Sequence, residues 1–401
     1  MNETGRPVHA AQTPEERALC SRYRGCLLGG AVGDALGAPV EFMRDAEIRS
    51  RFGDGGIRDY VPAYGRLGAI TDDTQMTLFT ADGMLRAHVR AALRGTRPDY
   101  ASVTARAYQR WLATQGGRSA ADTLDDEPPG WLIGHTELFN PRAPGNTCLA
   151  ALRVGKRAGE SADNDSKGCG GVMRVAPVGM YFANGLREAD DAARAKVGRD
   201  AFRPAVEIAA IPHGHPTGHL TAGALAAMVA EVLVGASLPQ ALETAMRELR
   251  AWPGHDETLR SLEEARDLAS TKPRDRRVLA SLGEGWVAEE ALAMSVYCAL
   301  GAEDFESAIV LAVNHSGDSD STGAITGNLL GAAMGVEASP DRWLEPLELP
   351  RSHRRLPTRW RRCDRGASAT DRRSRPFGGR GIQGADRARP RKGAIYISRK
   401  V

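Results

Sequence analysis

The stretch NHSGDSDSTG at residues 314–323 feeds directly into a run of small residues, AITGNLLGAAMG, at 324–335. Asp318 and Asp320 are hard oxygen donors and Ser321 adds a hydroxyl. Carboxylates two positions apart at a helix N-terminus can be directed at one point where a cation sits. The same residue types are what helix capping needs, so this stretch alone leaves capping and cation binding both open. A second acidic start, TDDTQMT at 71–77, places Thr71 as an N-cap before Asp72 and Asp73. Neighbours in a helical turn point about 100° apart, so these two carboxylates suit two adjacent ions better than one. Compensation of the helix dipole is the plainer role for acids at that position. Two such helix starts in one chain strengthen the case for a paired hard-cation site.

Three further segments carry candidate chemistry. Glu41 follows a helical, glycine-rich stretch (22–37) and Pro39, which should end that helix and put the carboxylate on a turn. A solvated loop acid is the alternative. The segment DNDSKGCGGVMR at 163–174 is the most glycine-dense loop ahead of an apolar run, and such a loop can offer backbone N–H groups to a phosphate. It lacks the spacing of a dinucleotide fingerprint and the G-K-[ST] of a P-loop, so a tight structural turn is its simpler reading. His213, His215 and His219 lie close together, but no cysteine or fourth ligand is near, and the acidic clusters favour a hard metal over zinc.

The elements that must hold these groups read as helices. Residues 22–37 have apolar and small side chains at helical spacing, and each glycine there costs roughly 1 kcal/mol relative to Ala, which points to something packing against the backbone. Helical patterns recur at 71–85, 100–117, 220–236 and 288–297, and Thr147 is the expected cap of a helix opening near Asn146. No segment reads as a strand and no repeat of fixed period appears, so residues up to 335 are expected to form one all-α domain. Aromatic residues make up only 5% of the chain against 45 glycines in 401 residues, as close helix packing through small side chains requires. The six cysteines are scattered without a C-x-x-C pair, as in a protein of the reducing cytoplasm. The polar N-terminus and the lack of a long apolar run indicate neither export nor membrane insertion.

Net charge is +3, but it is unevenly placed: 351–401 carries 17 Lys/Arg against 3 Asp/Glu, and the remainder 36 against 47. Three regions are expected: a flexible N-terminus (1–20), a catalytic domain (21–348) and an Arg-rich, disordered tail (349–401). The tail has the composition of a nucleic-acid-binding segment, and equally that of a GC-rich message read out of frame.

Taken together, RGCLLGGAVGDALGAPVEF (24–42), TDDTQMT, GCGGVMRVAPVG (168–179), HGHP (213–216), GEGWVAEEAL (283–292) and NHSGDSDSTG resemble the ADP-ribosylglycohydrolase family of the dinitrogenase-reductase-activating glycohydrolase type, over about residues 22–345. The resemblance implies many short helices around a central cleft, two Mg²⁺ or Mn²⁺ ions, and hydrolysis of a glycosidic bond to the ribose of ADP-ribose. Thr71, Asp72 and Asp73 match the family's first metal triplet. Asp318, Asp320 and Ser321 match the second, with Ser321 where many members have Thr. Glu41 matches an acid implicated in catalysis beside the metals, and Asp73 and Asp318 join it as catalytic candidates. Asn146, Gly168, Cys169, Gly170, Gly171, Met173, Arg174 and His213, with Glu41, fall where the family lines its ADP-ribose cleft, Cys169 standing where others carry Asn.

The implied substrate is an ADP-ribosylated protein or a small ADP-ribose conjugate, with mono-ADP-ribose on arginine foremost and serine-linked or O-acetyl-ADP-ribose as alternatives. A non-catalytic ADP-ribose binder and a metal-dependent phosphohydrolase are the competing classes. The six acidic and hydroxyl positions are intact, which favours an enzyme. A monomer with no membrane partner is expected, and nucleic acid enters only through the tail.

Overall fold

A computed structural model describes residues 13–120, 130–155, 158–184 and 196–348. The tail at 349–401 lies outside them. Fifteen α-helices and four short 3₁₀ turns make up the described residues, joined by loops and two isolated β-bridges, with no strand. In order they are α1 (Pro14–Gly37), α2 (Asp45–Phe52), α3 (Asp72–Arg94), α4 (Tyr100–Thr114), α5 (Asn146–Val154), α6 (Ala176–Asn184), α7 (Val197–Ala209), α8 (Pro216–Leu233), α9 (Leu238–Leu249), α10 (Asp256–Thr271), α11 (Arg276–Ser281), α12 (Ala288–Leu300), α13 (Phe305–Val313), α14 (Ser319–Met334) and α15 (Asp341–Leu344). The all-α expectation is met.

The antiparallel pair α1 and α14 is the axis of the structure. Gly25, Gly29 and Gly33 recur every fourth residue on α1 and face Gly331, Gly327 and Gly323 of α14. A Cβ on Gly33 would lie 2.0 Å from the carbonyl oxygen of Gly323, one on Gly327 2.0 Å from that of Gly29, and one on Gly331 2.0 Å from that of Gly25. The helix backbones therefore touch, and the propensity cost of the glycines is offset by contact along two helices. Because the pair is antiparallel, the C-terminal end of α1, leading to Glu41, meets the N-terminal end of α14, which carries Asp318 and Asp320. Gly37 lies against Ser319 and Asp320 at that end. Helix α8, apolar on nearly every side, is buried behind this pair, among α6, α7, α9, α12 and α14.

Two expectations are corrected. Residues 14–20, expected to belong to a flexible N-terminus, are the first turns of α1. Thr13 and Glu16 form a reciprocal capping box at 3.1 Å each way, and Pro14 occupies the first turn, where its missing N–H is harmless. Thr147 does not cap α5: the N-cap is Gly145, and no side chain bonds there.

The loop that delivers the second acidic start is tied down by a buried ion pair. Arg142 and Glu348 are both almost fully buried. One guanidinium nitrogen of Arg142 bonds Glu348 directly and the other lies 3.0 Å from its Oε1, while Arg66 reaches the same oxygen at 3.0 Å. The Arg142 carbonyl accepts from the Asp72 N–H at 3.3 Å. Glu348→Gln leaves Arg142 charged and buried with a weaker partner, so the urea midpoint should fall by the equivalent of about 3 kcal/mol. An unchanged midpoint would show that water reaches Arg142.

Candidate active site

Three chain segments meet at the α1–α14 end. Asp318 is the N-cap of α14, its side chain accepting from the Ser321 N–H at 3.3 Å, and Asp320 lies in the first turn. Thr71 caps α3 by accepting from the Asp73 N–H at 3.3 Å. Glu41 sits on the turn after α1. The two helix starts are brought together by Asp34, a fully buried acid inside α1. It accepts from the Thr71 N–H at 3.0 Å and the Thr74 N–H at 3.1 Å, and from the Thr74 hydroxyl. One carboxylate of α1 thus caps the N-terminus of α3 and holds it beside that of α14.

One carboxylate oxygen from each of Glu41, Asp318 and Asp320 lies within 4.8 Å of the other two, a group of three acids placed to hold a cation. Asp72 and Asp73 adjoin it. The Thr71 hydroxyl is 3.4 Å from Asp73 Oδ2, and the Gly145 N–H donates to Asp72 Oδ2 at 3.4 Å. Exposed Asn146 follows Gly145. All six acids are buried, yet Glu41 Oε2 and Asp73 Oδ1 have no hydrogen-bond partner. Burial raises every one of them, and repulsion from neighbouring carboxylates adds to it at all but Asp318. Glu41 is pushed up to about 11, by desolvation first and then by Asp320 and Asp318, and Asp34 to about 7 by desolvation and Asp320. Asp72, Asp73 and Asp320 rise well above the carboxylate range, and Asp318 is raised, in each case chiefly by burial.

Six buried carboxylates, two of them with an oxygen that has no hydrogen-bond partner, and one guanidinium, Arg174, felt by Asp72, are a site that wants positive charge. Hard oxygen donors of this number and kind fit divalent cations of the Mg²⁺ or Mn²⁺ class.

The glycine loop forms the adjoining wall. Its 3₁₀ turn, Cys169–Gly171, is fixed by the Cys169 N–H donating to the Trp286 carbonyl at 3.1 Å and by a bridge between Gly168 and Val287. Cys169 Sγ lies 2.7 Å from Asp318 Oδ2, and Ser321 Oγ is 3.7 Å from that sulfur and 3.6 Å from Met173 Sδ. Arg174 and His213, expected to line the cleft, are instead wholly buried behind it. Arg174 packs 4.7 Å over the Tyr108 ring and 3.6 Å from Cys148 Sγ. His213 pairs with Ser166 Oγ at 3.1 Å and lies under Gly170, where a Cβ would come 3.1 Å from its Nε2. Burial first, then Arg174, lowers its imidazole to about 3, so it supports the loop as a neutral ring. His215 caps α8 through Nδ1, and His219 bonds the His213 carbonyl, each in a separate structural role.

Sequence reasoning passed over Asp34, although a lone acid in a run of glycines and aliphatics was its signal. It also passed over the rim. Phe42 and Trp286 stack with centroids 5.7 Å apart and planes 18° from parallel, and both are solvent-exposed beside Glu41 and the glycine loop. Tyr64, held in the left-handed region at φ 49°, feels the charge of Glu41, Asp320, Asp34 and Asp72. No periodicity marks such residues, because nothing buries them.

The carboxylates raised in the folded state give a direct expectation for stability. A carboxyl whose folded value exceeds its unfolded value contributes stability below the unfolded value and loses it as pH rises through the folded one. From pH 6.5 to 8.5 Glu41 stays protonated when folded and ionised when unfolded, a loss of about 1.4 kcal/mol per pH unit. Asp34 completes its loss near pH 7, and His213, lowered when folded, opposes the fall only near pH 6.5, where its unfolded imidazole still binds protons. Without divalent cations, the melting temperature should fall on the order of 5 °C from pH 6.5 to 8.5. Saturating Mn²⁺ should restore most of it. A metal-free melting temperature that rises over this window would show the cluster already ionised.

The fold and site define an all-helical protein with converging buried carboxylates at one helix junction. Comparison with known proteins gives the family. Residues 15–370 match the ADP-ribosylglycohydrolase family, to which the chain belongs; it is a hydrolase of ADP-ribose linkages. It is 29% identical over 355 residues to the ADP-ribosyl-[dinitrogen reductase] glycohydrolase of Rhodospirillum rubrum, covering 86% of this chain and 93% of the relative. It is 26% identical over 344 residues to the ADP-ribosylarginine hydrolase Tri1 of Pseudomonas putida, covering 83% and 75%. A solved ADP-ribosylglycohydrolase-related protein complex has a similar fold, with a TM-score of 0.59 and 24% identity, over 86% of this chain and 99% of that one.

Proposed function

We propose that the enzyme removes mono-ADP-ribose from arginine in a protein, with divalent cations at the acidic cluster, in a reducing cytoplasm that suits its free cysteines. The convergence of Glu41, Asp318 and Asp320 within 4.8 Å carries this reading. The arginine acceptor is supported by the similarity to the ADP-ribosylarginine hydrolase Tri1 of Pseudomonas putida. Thr71, Asp72, Asp73, Asp318, Asp320 and Ser321 would hold the cations. When bound, these supply positive charge that orients the ribose hydroxyls and acidifies water. Cleavage of the ribosyl C–N bond passes through an oxocarbenium-like state, which the carboxylates stabilise; protonated Glu41 gives its proton to the departing guanidine nitrogen and regains one from the water that adds to the anomeric carbon. Its Oε2 is buried without a hydrogen-bond partner, which leaves one oxygen free for that transfer. Asp34 keeps the α3 start in register, and the 168–173 loop, backed by His213, presents its backbone to the ADP-ribose.

A panel of arginine-linked, serine-linked and O-acetyl conjugates, with and without Mg²⁺ or Mn²⁺, tests the reading. Free ADP-ribose from the arginine conjugate alone, only with metal, is the expected result. Release of AMP would point to phosphohydrolysis, and tight binding without turnover to a reader.

A further inference from the structure

The glycine loop is joined to the helices beside it by a charged clasp. The chain enters the loop at Lys167, whose carbonyl accepts from the Ala288 N–H at 2.8 Å, and the Gly168–Val287 bridge and the Cys169 N–H on the Trp286 carbonyl follow. A ladder this short, feeding glycines at 168, 170 and 171, is weak by itself. The Lys167 side chain closes over it. Its ammonium bonds Glu289, in the first turn of α12, and lies 2.6 Å from Oε1 of Glu257, in the first turn of α10. Glu257 Oε2 in turn accepts from the Thr217 hydroxyl, at the start of α8, at 2.6 Å. One cation thus ties the loop to the N-terminal turns of three helices, where carboxylates are favoured and a bare ammonium is not.

The two acids are not equivalent. The Glu257 side chain is 37% exposed, whereas that of Glu289 is 8% exposed and its Oε2 is buried without a hydrogen-bond partner, so its ion pair with Lys167 is the contact that compensates it. We propose that Lys167 is a positioning residue for ADP-ribose: by holding Glu289 it sets the place of the 168–171 backbone against α12, and with it the N–H groups that meet the ligand. It touches no reacting atom. Binding of the ADP-ribosyl part therefore depends on it, and the bond-breaking step does not. The inference rests on the reading of the 168–173 loop as the wall that receives ADP-ribose.

Lys167→Met in the full chain should raise KM for the arginine-linked conjugate, and Kd for free ADP-ribose by calorimetric titration, by roughly tenfold. Turnover at saturation and Mn²⁺ affinity, read by electron paramagnetic resonance, should each change by less than about threefold, as when binding alone is lost. The variant also leaves a buried carboxylate unpaired, so its melting temperature should fall by about 3 °C. The double variant Lys167→Met/Glu289→Met removes both charges and should regain that stability while its KM stays high, and it carries the test if Lys167→Met folds poorly. An unchanged KM in Lys167→Met, a loss confined to kcat, or a KM that recovers together with stability in the double variant would each overturn the positioning role. An unaltered chain that neither binds ADP-ribose nor cleaves a conjugate would instead overturn the reading on which it rests.

Discussion

Asp320→Asn should lower turnover of an ADP-ribosyl conjugate by roughly 10³-fold or more while making the metal-free protein more stable. Asp320 is the charge that most raises Glu41 and Asp34, and it weighs on Asp72 and Asp73 as well. Among the described residues it belongs to the group of three whose oxygens meet within 4.8 Å. An amide keeps its volume and one oxygen but removes the anion that a cation needs. Loss of groups that merely orient metal ligands already costs about 10–100-fold, so loss of a ligand charge should exceed that. The same change relieves repulsion among buried acids, which should raise metal-free stability by about 1–2 kcal/mol. The paired readouts are kcat with saturating Mn²⁺ and the urea midpoint in chelator. Retained turnover would falsify the metal-centred scheme. Lost turnover with lowered metal-free stability would mean that Asp320 is needed for the fold rather than for charge.

Gly33→Ala is a change of one methyl group in a helix where Ala has the better propensity, by roughly 1 kcal/mol. It should nevertheless destabilise the chain by about 3 kcal/mol or more. The added Cβ would lie 2.0 Å from the Gly323 carbonyl oxygen and 2.2 Å from its carbon, and these are backbone atoms of α14 that no rotamer change can move aside. The helices must separate, and α14 carries Asp318 and Asp320 while α1 carries Asp34. Mn²⁺ affinity should therefore fall together with stability, although Gly33 touches no proposed ligand. Calorimetry and Mn²⁺ titration on the same preparation check both, and a stabilised variant would mean that the backbones do not touch at Gly33.

Part of this was legible in the chain because it is written in local chemistry. Thr71 and Asp318 lie directly before runs of helical pattern, and the structure makes each an N-cap. The glycines of 24–37 announced a close neighbour, since a helix that accepts so many must gain contact in return. They did not say which neighbour: the matching spacing on 323–331 lies some 300 residues away, and nothing in a periodicity specifies its partner. The same limit hid Asp34. Its position in a buried helix was plain, but that it caps a different helix depends on the crossing of α1 and α3.

Arg174 and His213 fell short for a related reason. Their place beside a glycine-rich loop suggested a lining role, and only packing decides whether a side chain passes over or under such a loop. Here both pass under, where Tyr108 and Ser166 receive them.

The sequence by itself determined the helical class, the two capped acidic starts, and a composition of small side chains that permits backbone-to-backbone packing. These are properties of neighbouring residues and follow from propensity and capping. Tertiary structure alone decided that the two starts share one buried volume, that Asp34 joins them, that Glu41 faces Asp318 and Asp320, and that Cys169 and Met173 bring sulfur to an oxygen site. Those relations hold between residues far apart in the chain, and they are set by the direction in which α1 and α14 run past each other.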